Sequence, residues 1–235
     1  MPACAEPVAA GLDVRGLGCE RGGRVLFEGI GFAVARGGAL TVVGPNGSGK
    51  TTLLRALAGL TEARVERVSW QGEAVALGSA AWRAQVAYVG HRPGHKDDLT
   101  AAENLELACA LEGRAGGQGE RLRVLEQVGL GRRSELPVKR LSQGQKQRLA
   151  LARLALSRRS LWLLDEPAAA LDTAARALLA EILRGHLDAG GVALIATHDP
   201  IDLAGARAAQ LHLGDRGRCP QALAVAPARA ATLHG

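Results

Sequence analysis

The feature that most constrains this chain is the octapeptide Gly44 to Thr51, GPNGSGKT, which fits GxxxxGK[ST] at every fixed position. It follows the apolar run ALTVVG (39–44) and opens a helical pattern from Gly49 to Leu60. A strand, a glycine-rich loop and a helix start in that order build a cradle for phosphate. The glycines let backbone N–H groups close around anionic oxygens, and the helix adds the positive end of its dipole. Gly44, Pro45, Asn46, Gly47, Ser48 and Gly49 form the cradle, and Thr52 lies in the same helix start. Lys50 is placed to neutralise β- and γ-phosphates and the Thr51 hydroxyl to hold Mg²⁺.

The remaining sequence supplies the layers such a loop needs. Apolar runs recur at QVAYVG (85–90), SLWLLDE (160–166) and GVALIATH (191–198), and they read as buried parallel strands. Helical patterns lie at Ala101 to Leu111, Glu120 to Val128, Gln143 to Leu156 and Thr173 to Leu187, with Thr100 and Glu103 spaced as a capping box. This alternation predicts an α/β core with crossover connections. LDVRGLGCER, GIGFAVARG and VERVSWQGEAV have no helix pattern between them and are assigned to an antiparallel sheet against one side of that core. Residues 1–10 read as a loose arm, 11–218 as a single domain, and 219–235, without an acid, as a weakly ordered tail.

Composition narrows the function classes. With 47% hydrophobic and 22% charged residues the chain has the balance of a globular domain, not a disordered one. No stretch reaches the roughly 18 apolar residues that span a bilayer, and MPACAEPVAAG lacks the basic-then-apolar order of an export signal. The expectation is a chain neither exported nor membrane-spanning by itself. Cys4, Cys19, Cys109 and Cys219 are too scattered for a zinc site and read as reduced thiols. The net charge of +6 concentrates between Arg132 and Arg159, where nine basic residues meet one acid, Glu135. That window reads either as a solvated helix face or as a contact for nucleotide phosphate, membrane headgroups or nucleic acid. Aromatic residues at 3% leave few stacking platforms, so no nucleic-acid partner is expected.

SLWLLDE ends in two acids, which places Asp165 and Glu166 at the carboxyl edge of the sheet beside the phosphate loop. Asp165 can hold Mg²⁺ through water, and Glu166 can take a proton from an attacking water. With the phosphate loop, the pair makes a nucleotide-hydrolysis site.

LSQGQKQR (141–148) is the most discriminating string. LSxGQ between a phosphate loop and a strand-terminal DE, followed by LD at 171–172 and a strand-ending His198, closely resembles the ATP-binding cassette ATPases over roughly residues 12–214. The resemblance implies a P-loop NTPase of the cassette type: a mixed core sheet, an antiparallel β subdomain and a helical signature subdomain at about 92–157. It also implies ATP and Mg²⁺ bound between two copies of the chain. Ser142 and Gly144, with Gln145, would then serve the γ-phosphate across the dimer, Asp172 would lie in the loop crossing it, and His198 would contact the γ-phosphate and position water.

Two departures from the general pattern carry information. The adenine-stacking aromatic that the family places about 29 residues before the phosphate-loop lysine falls here on Arg21, whose guanidinium can also stack. Where the family ends a strand in glutamine, this chain has YVGH, which puts His91 in that position. YVGHRPGHKDDLTAAENL (88–105) is similar to the cytochrome c maturation ATPases, which carry a histidine there. That likeness implies an ATPase docked on a membrane-spanning permease subunit at the cytoplasmic face of the inner membrane, coupling hydrolysis to haem export or to release of a haem-loaded chaperone. The alternatives are the ATPase of another small cassette transporter and a soluble cassette protein bound to nucleic acid or ribosomes through the basic window.

Overall fold

The computed structural model describes residues 11–90, 94–114, 117–199, 201–203, 205, 207–214 and 223–225. In chain order the strands are β1 (Leu12–Arg21), β2 (Arg24–Val34), β3 (Gly38–Val43), β4 (Arg67–Trp70), β5 (Glu73–Ala74), β6 (Val86–Val89), β7 (Leu161–Asp165), β8 (Val192–Ala196), β9 (Arg207–His212) and β10 (Leu223–Val225). The helices are α1 (Lys50–Leu57), α2 (Ala80–Gln85), α3 (Ala101–Leu111), α4 (Gln118–Gln127), α5 (Gln143–Leu156) and α6 (Thr173–Asp188).

Two sheets form because the apolar residues come in two patterns. β1 and β2 make a long antiparallel hairpin closed by Gly22 and Gly23, whose φ values of 58° and 72° suit the two-residue turn that matches strand twist. β4 and β5 extend this sheet antiparallel to β1, and β10 joins its far edge parallel to β2. The unbroken apolar runs instead give a fully parallel sheet, ordered β6-β7-β8-β3-β9, with every residue of β7 and β8 buried.

Strand alternation sorts the core into two halves. Leu40, Val42, Leu161, Leu163, Val192 and Leu194 face the antiparallel sheet and α1, where they meet Leu12, Val14, Phe27, Ile30, Leu53 and Leu57. Ala39, Trp162, Leu164, Ala193 and Ile195 face the opposite way, against Leu105, Leu149, Leu179 and Leu183 of α3, α5 and α6. The mixed α/β class expected from the alternation is the class observed. The expected segments are all present, with α3 and α5 at the predicted bounds and the capping box formed by Thr100 and Glu103.

Three elements escape the periodicity. α2 has six residues, too few to show a helical repeat; Ser79 caps it and Trp82, fully buried, donates to the Leu57 carbonyl at 2.6 Å. β9 alternates exposure along a polar-rich edge and has no apolar run to announce it. β10 lies inside the tail expected to be weakly ordered; the rest of 219–235 and residues 1–10 lie outside the described residues.

Four of the nine basic residues of the window pair with acids elsewhere in the chain. Lys139 meets Asp98 at 2.8 Å, Lys146 meets Asp97 at 3.1 Å, Arg148 meets Asp172 at 2.6 Å and Arg159 meets Glu112 at 3.4 Å. Internal pairing therefore absorbs part of the charge that the sequence displays as a single block. Cys19 and Cys109 are buried free thiols, as their spacing implies.

Two histidines are folded in as neutral rings. His186 stacks on Trp162 with centroids 3.8 Å apart and planes within 9°, and its Nε2–H donates to the Val192 carbonyl at 3.2 Å. His95 donates from Nε2 to the Lys146 carbonyl at 2.8 Å. Burial lowers both from 6.5 to about 4. The unfolded chain takes up these protons near pH 6.5 and the folded chain only near pH 4, so stability falls as pH drops across that window. At pH 5 each ring should cost about 2 kcal/mol relative to pH 7.5. His186→Phe, which keeps a flat ring on Trp162, should shrink that acid loss in urea midpoints measured at the two pH values. An unchanged loss would show that His186 does not contribute to it.

Candidate active site

The carboxyl ends of β3, β8 and β7 lie side by side, so whatever follows each strand converges on one sheet edge. β3 runs into the phosphate loop and α1. Gly49, which precedes α1, has φ of 99°, and a Cβ there would sit 3.1 Å from the Phe27 ring, so glycine both takes the conformation and lets β2 close against the loop. β7 ends at Asp165, which pairs with Ala196 of β8. The next residue of each strand end continues the alignment, with the Glu166 N–H donating to the Ala196 carbonyl at 2.8 Å.

The loop carries unmet donors of the kind an oligophosphate satisfies. The Ser48 hydroxyl is buried and has no hydrogen-bond partner among the described residues. α1 begins without a side-chain cap or an acid in its first turn, leaving its N–H groups and dipole open to an anion. The Lys50 ammonium, 9% exposed, donates to the Gly44 and Pro45 carbonyls at 2.7 and 3.0 Å, directly over the loop. The Thr51 hydroxyl donates to Oδ1 of Asp165 at 3.1 Å, across 114 residues of sequence, and Asp165 is 2% exposed. A hydroxyl and a buried carboxylate in contact are the hard oxygen donors that Mg²⁺ selects. These residues fit a Mg²⁺-nucleotide.

A cavity of about 400 Å³ unites Arg21, Asn46, Gly47, Gly49, Lys50, Thr51, Thr52, Asp165 and Glu166. Arg21, at the hairpin end of β1, lines this cavity, and Leu26 joins it from β2. Leu26 is missing from the sequence reading because only hairpin register brings it to the loop. Glu166 and His198 form a pair: Nδ1 of His198 lies 3.0 Å from Oε1 of Glu166. An ionised carboxylate only accepts, so Nδ1 carries the proton, and Nε2, on a side chain 68% exposed, lies 4.0 Å from Oδ1 of Asp199. The hydrogen bond to Glu166, and then its charge, raise the His198 pKa above 6.5 and favour the imidazolium.

The signature residues lie elsewhere in the same copy. Ser142 caps α5 by accepting from the Gln145 N–H at 3.3 Å, and Gln145 returns its side-chain oxygen to the Ser142 N–H at 3.0 Å. The Gln145 amide is thus committed to the cap. Gly144 follows in the first turn, and none of the three lines the cavity. Asp172 caps α6 through the Ala175 N–H at 2.8 Å and receives Arg148 at 2.6 Å; these two contacts lower its pKa in that order. It also lies outside the cavity. Gln147 and Arg148 stand within the signature string, yet their reach toward the loop after Glu166 follows from helix packing and was missed. His91 lies outside the described residues.

Comparison with known proteins places this geometry. The ABC transporter family profile matches residues 27–169. The chain is 48% identical over 188 residues to the "Cytochrome c biogenesis ATP-binding export protein CcmA" of Cupriavidus pinatubonensis, spanning 80% of this chain and 83% of that protein. It is 43% identical over 207 residues to the protein of the same name from Nitrosospira multiformis, spanning 88% of this chain and 99% of the relative. Among solved structures, an ATP-binding subunit of an ABC transporter superposes with a TM-score of 0.78 at 28% identity, covering 89% of this chain and 88% of that one. A dimeric ATP-binding cassette bound to ADP and Pi shares the fold with a TM-score of 0.76 at 22% identity, over 89% of this chain and 97% of its own. The phosphate loop, the strand-end acids and the signature helix therefore belong together as the parts of one known enzyme class: the chain is an ATPase of the ATP-binding cassette family and a member, within it, of the CcmA group of cytochrome c biogenesis ATP-binding export proteins.

Proposed function

We propose that this chain is the ATP-hydrolysing subunit of a membrane complex in cytochrome c biogenesis, coupling hydrolysis to haem export or to release of a haem-loaded chaperone. The observation that carries the chemistry is the Glu166–His198 pair, set one residue beyond the Thr51–Asp165 pair on the same sheet edge. Residues 44–52 hold the phosphates, Lys50 neutralises them, and Arg21 stacks on the adenine. Thr51 and Asp165 would hold Mg²⁺, which would supply neutralisation of phosphate charge. Glu166 accepts a proton from the attacking water, while His198, held by Glu166, contacts the γ-phosphate and orients that water. His91, in the YVGH string, is added to the set from the sequence alone.

The signature elements point to a shared site. Ser142, Gly144 and Asp172 do not line the cavity of their own copy, which supports a second copy supplying them across the nucleotide. The cytochrome c assignment is supported by relatives whose names carry that process and of whose length this chain spans 83% and 99%. No helix among the described residues is long and apolar enough to cross a membrane, so translocation requires a membrane-spanning permease. Leu60 and Leu111, 53% and 72% exposed, line a cleft with Val86, Tyr88, Ala108 and Leu154 on its apolar side and Arg83, Glu112, Arg153 and Arg159 on its charged side. These exposed leucines support docking of the permease there, at the cytoplasmic face of the inner membrane.

Three outcomes are expected. Glu166→Gln should bind ATP with wild-type affinity and lose at least about 10²-fold in turnover, because the amide keeps shape and loses basicity; turnover within threefold of wild type would move the base elsewhere. ATPase rate should rise more steeply than linearly with protein concentration at high dilution, and a strictly linear rate would exclude a site shared by two copies. Leu111→Asp should leave the solitary ATPase unchanged while lowering holocytochrome c yield in complemented cells; full yield would place the permease on another surface.

A further inference from the structure

Helix α5 grips the loop that follows Glu166 from the side. Gln147 is 4% exposed, and its Nε2–H donates to the Pro167 carbonyl at 3.1 Å. One helical step away, Arg148 donates to Asp172 at 2.6 Å and to the Val128 carbonyl at 3.2 Å. At Gly144 an added Cβ would stand 3.5 Å from the Ala170 carbonyl, so the helix backbone runs close to the loop there. Positions 144, 147 and 148 are spaced i, i+3 and i+4, which is one face of the helix, and that face lies along residues 167–172.

The gripped loop is strained at the residue that matters. Glu166 has φ of 51° and Ala170 has φ of 60°, left-handed conformations that side chains disfavour. Glu166 also precedes a proline, whose ring further restricts its backbone. Such a conformation persists only where the surroundings over-determine it. On its amino side Glu166 is tied to β8 through the Ala196 carbonyl. On its carboxyl side the next peptide oxygen is held by the buried amide of Gln147. The two anchors bracket Glu166, one at its own N–H and one at the carbonyl of the residue after it, and so restrain the direction of its carboxylate toward His198.

We infer that Gln147 is a positioning residue for hydrolysis: through the Pro167 carbonyl its amide holds Glu166 in the strained conformation that aims the carboxylate at the attacking water. This rests on the reading of Glu166 as the base. Gln147 does not line the nucleotide cavity, so withdrawing its donor acts on the chemical step and spares binding at the phosphate loop.

The test measures steady-state kcat and KM, ATP affinity and melting temperature in Gln147→Met, which keeps the volume and removes the donor. Gln147→Asn withdraws the same donor by one methylene with its polarity kept, and it decides the matter if the methionine variant does not fold. A fall in kcat of about tenfold to a hundredfold is expected, the scale of a misplaced catalytic group, with KM and ATP affinity within twofold. Single-turnover hydrolysis is then followed in the Glu166→Gln background. There the Gln147 substitution should add no further loss, because the group it positions is gone. A kcat within twofold of wild type in the Gln147 variants, while Glu166→Gln is inactive, would overturn the inference and leave the base intact. Loss of ATP affinity in step with kcat, or a further loss in the Glu166→Gln background, would assign Gln147 to the fold alone. Wild-type turnover in Glu166→Gln removes both readings.

Discussion

Three parallel strands in one register put the whole site on one edge of the sheet. Leu40 to Val42 pair with Leu194 to Ala196, and Leu163 to Asp165 pair with the same stretch of β8 from its other side. Because β7 is buried on both faces, a one-residue slip would exchange Leu161 and Leu163 with Trp162 and Leu164 and mismatch both halves of the core. The same slip would move Asp165 by roughly 3.3 Å, a strand's rise per residue, and break its contact with Thr51. Packing therefore sets the catalytic distances, and the site inherits its precision from the hydrophobic core.

Folding the site also leaves polar groups in deficit. The Ser48 hydroxyl is buried without a partner and α1 starts without a cap, where an ordinary helix would use a serine or aspartate. Each buried donor left unmet costs about 1–3 kcal/mol of stability, which a bound phosphate can return. Of the helices outside the site, α2, α3, α5 and α6 each have a side-chain cap, and α4, which has none, carries Glu120 in its first turn; α1 has neither. The contrast marks α1 as the helix shaped by its ligand.

Charge is distributed on the same logic. Lys139, Lys146, Arg148 and Arg159 pair with Asp98, Asp97, Asp172 and Glu112, which ties the signature helix and its flanks to the loop before α3, to the start of α6 and to the end of α3. Exposed pairs of this kind contribute little stability singly. Their effect is orientation: α5 is held against both the 94–99 segment and the 167–172 loop, between the helical half of the molecule and the strand-end acids.

Local spacing alone determined the phosphate loop, the strand-end acids, the capped starts of α3 and α5 and the split between an antiparallel and a parallel sheet. Each of these depends on contacts within a few residues or on the periodicity of burial, which are written along the chain. Leu26 at the nucleotide cavity, the six-residue α2, the edge strand β9, the pairing of the basic window and the hold of Gln147 on Pro167 were decided only by tertiary structure. Hairpin register brings Leu26 to Gly49, and the packing angle of α5 decides which of its polar residues reach the loop. The left-handed turn at Glu166 is of the same kind: nothing in the dipeptide Glu-Pro favours it, and it exists because β8 on one side and α5 on the other leave the backbone no other path.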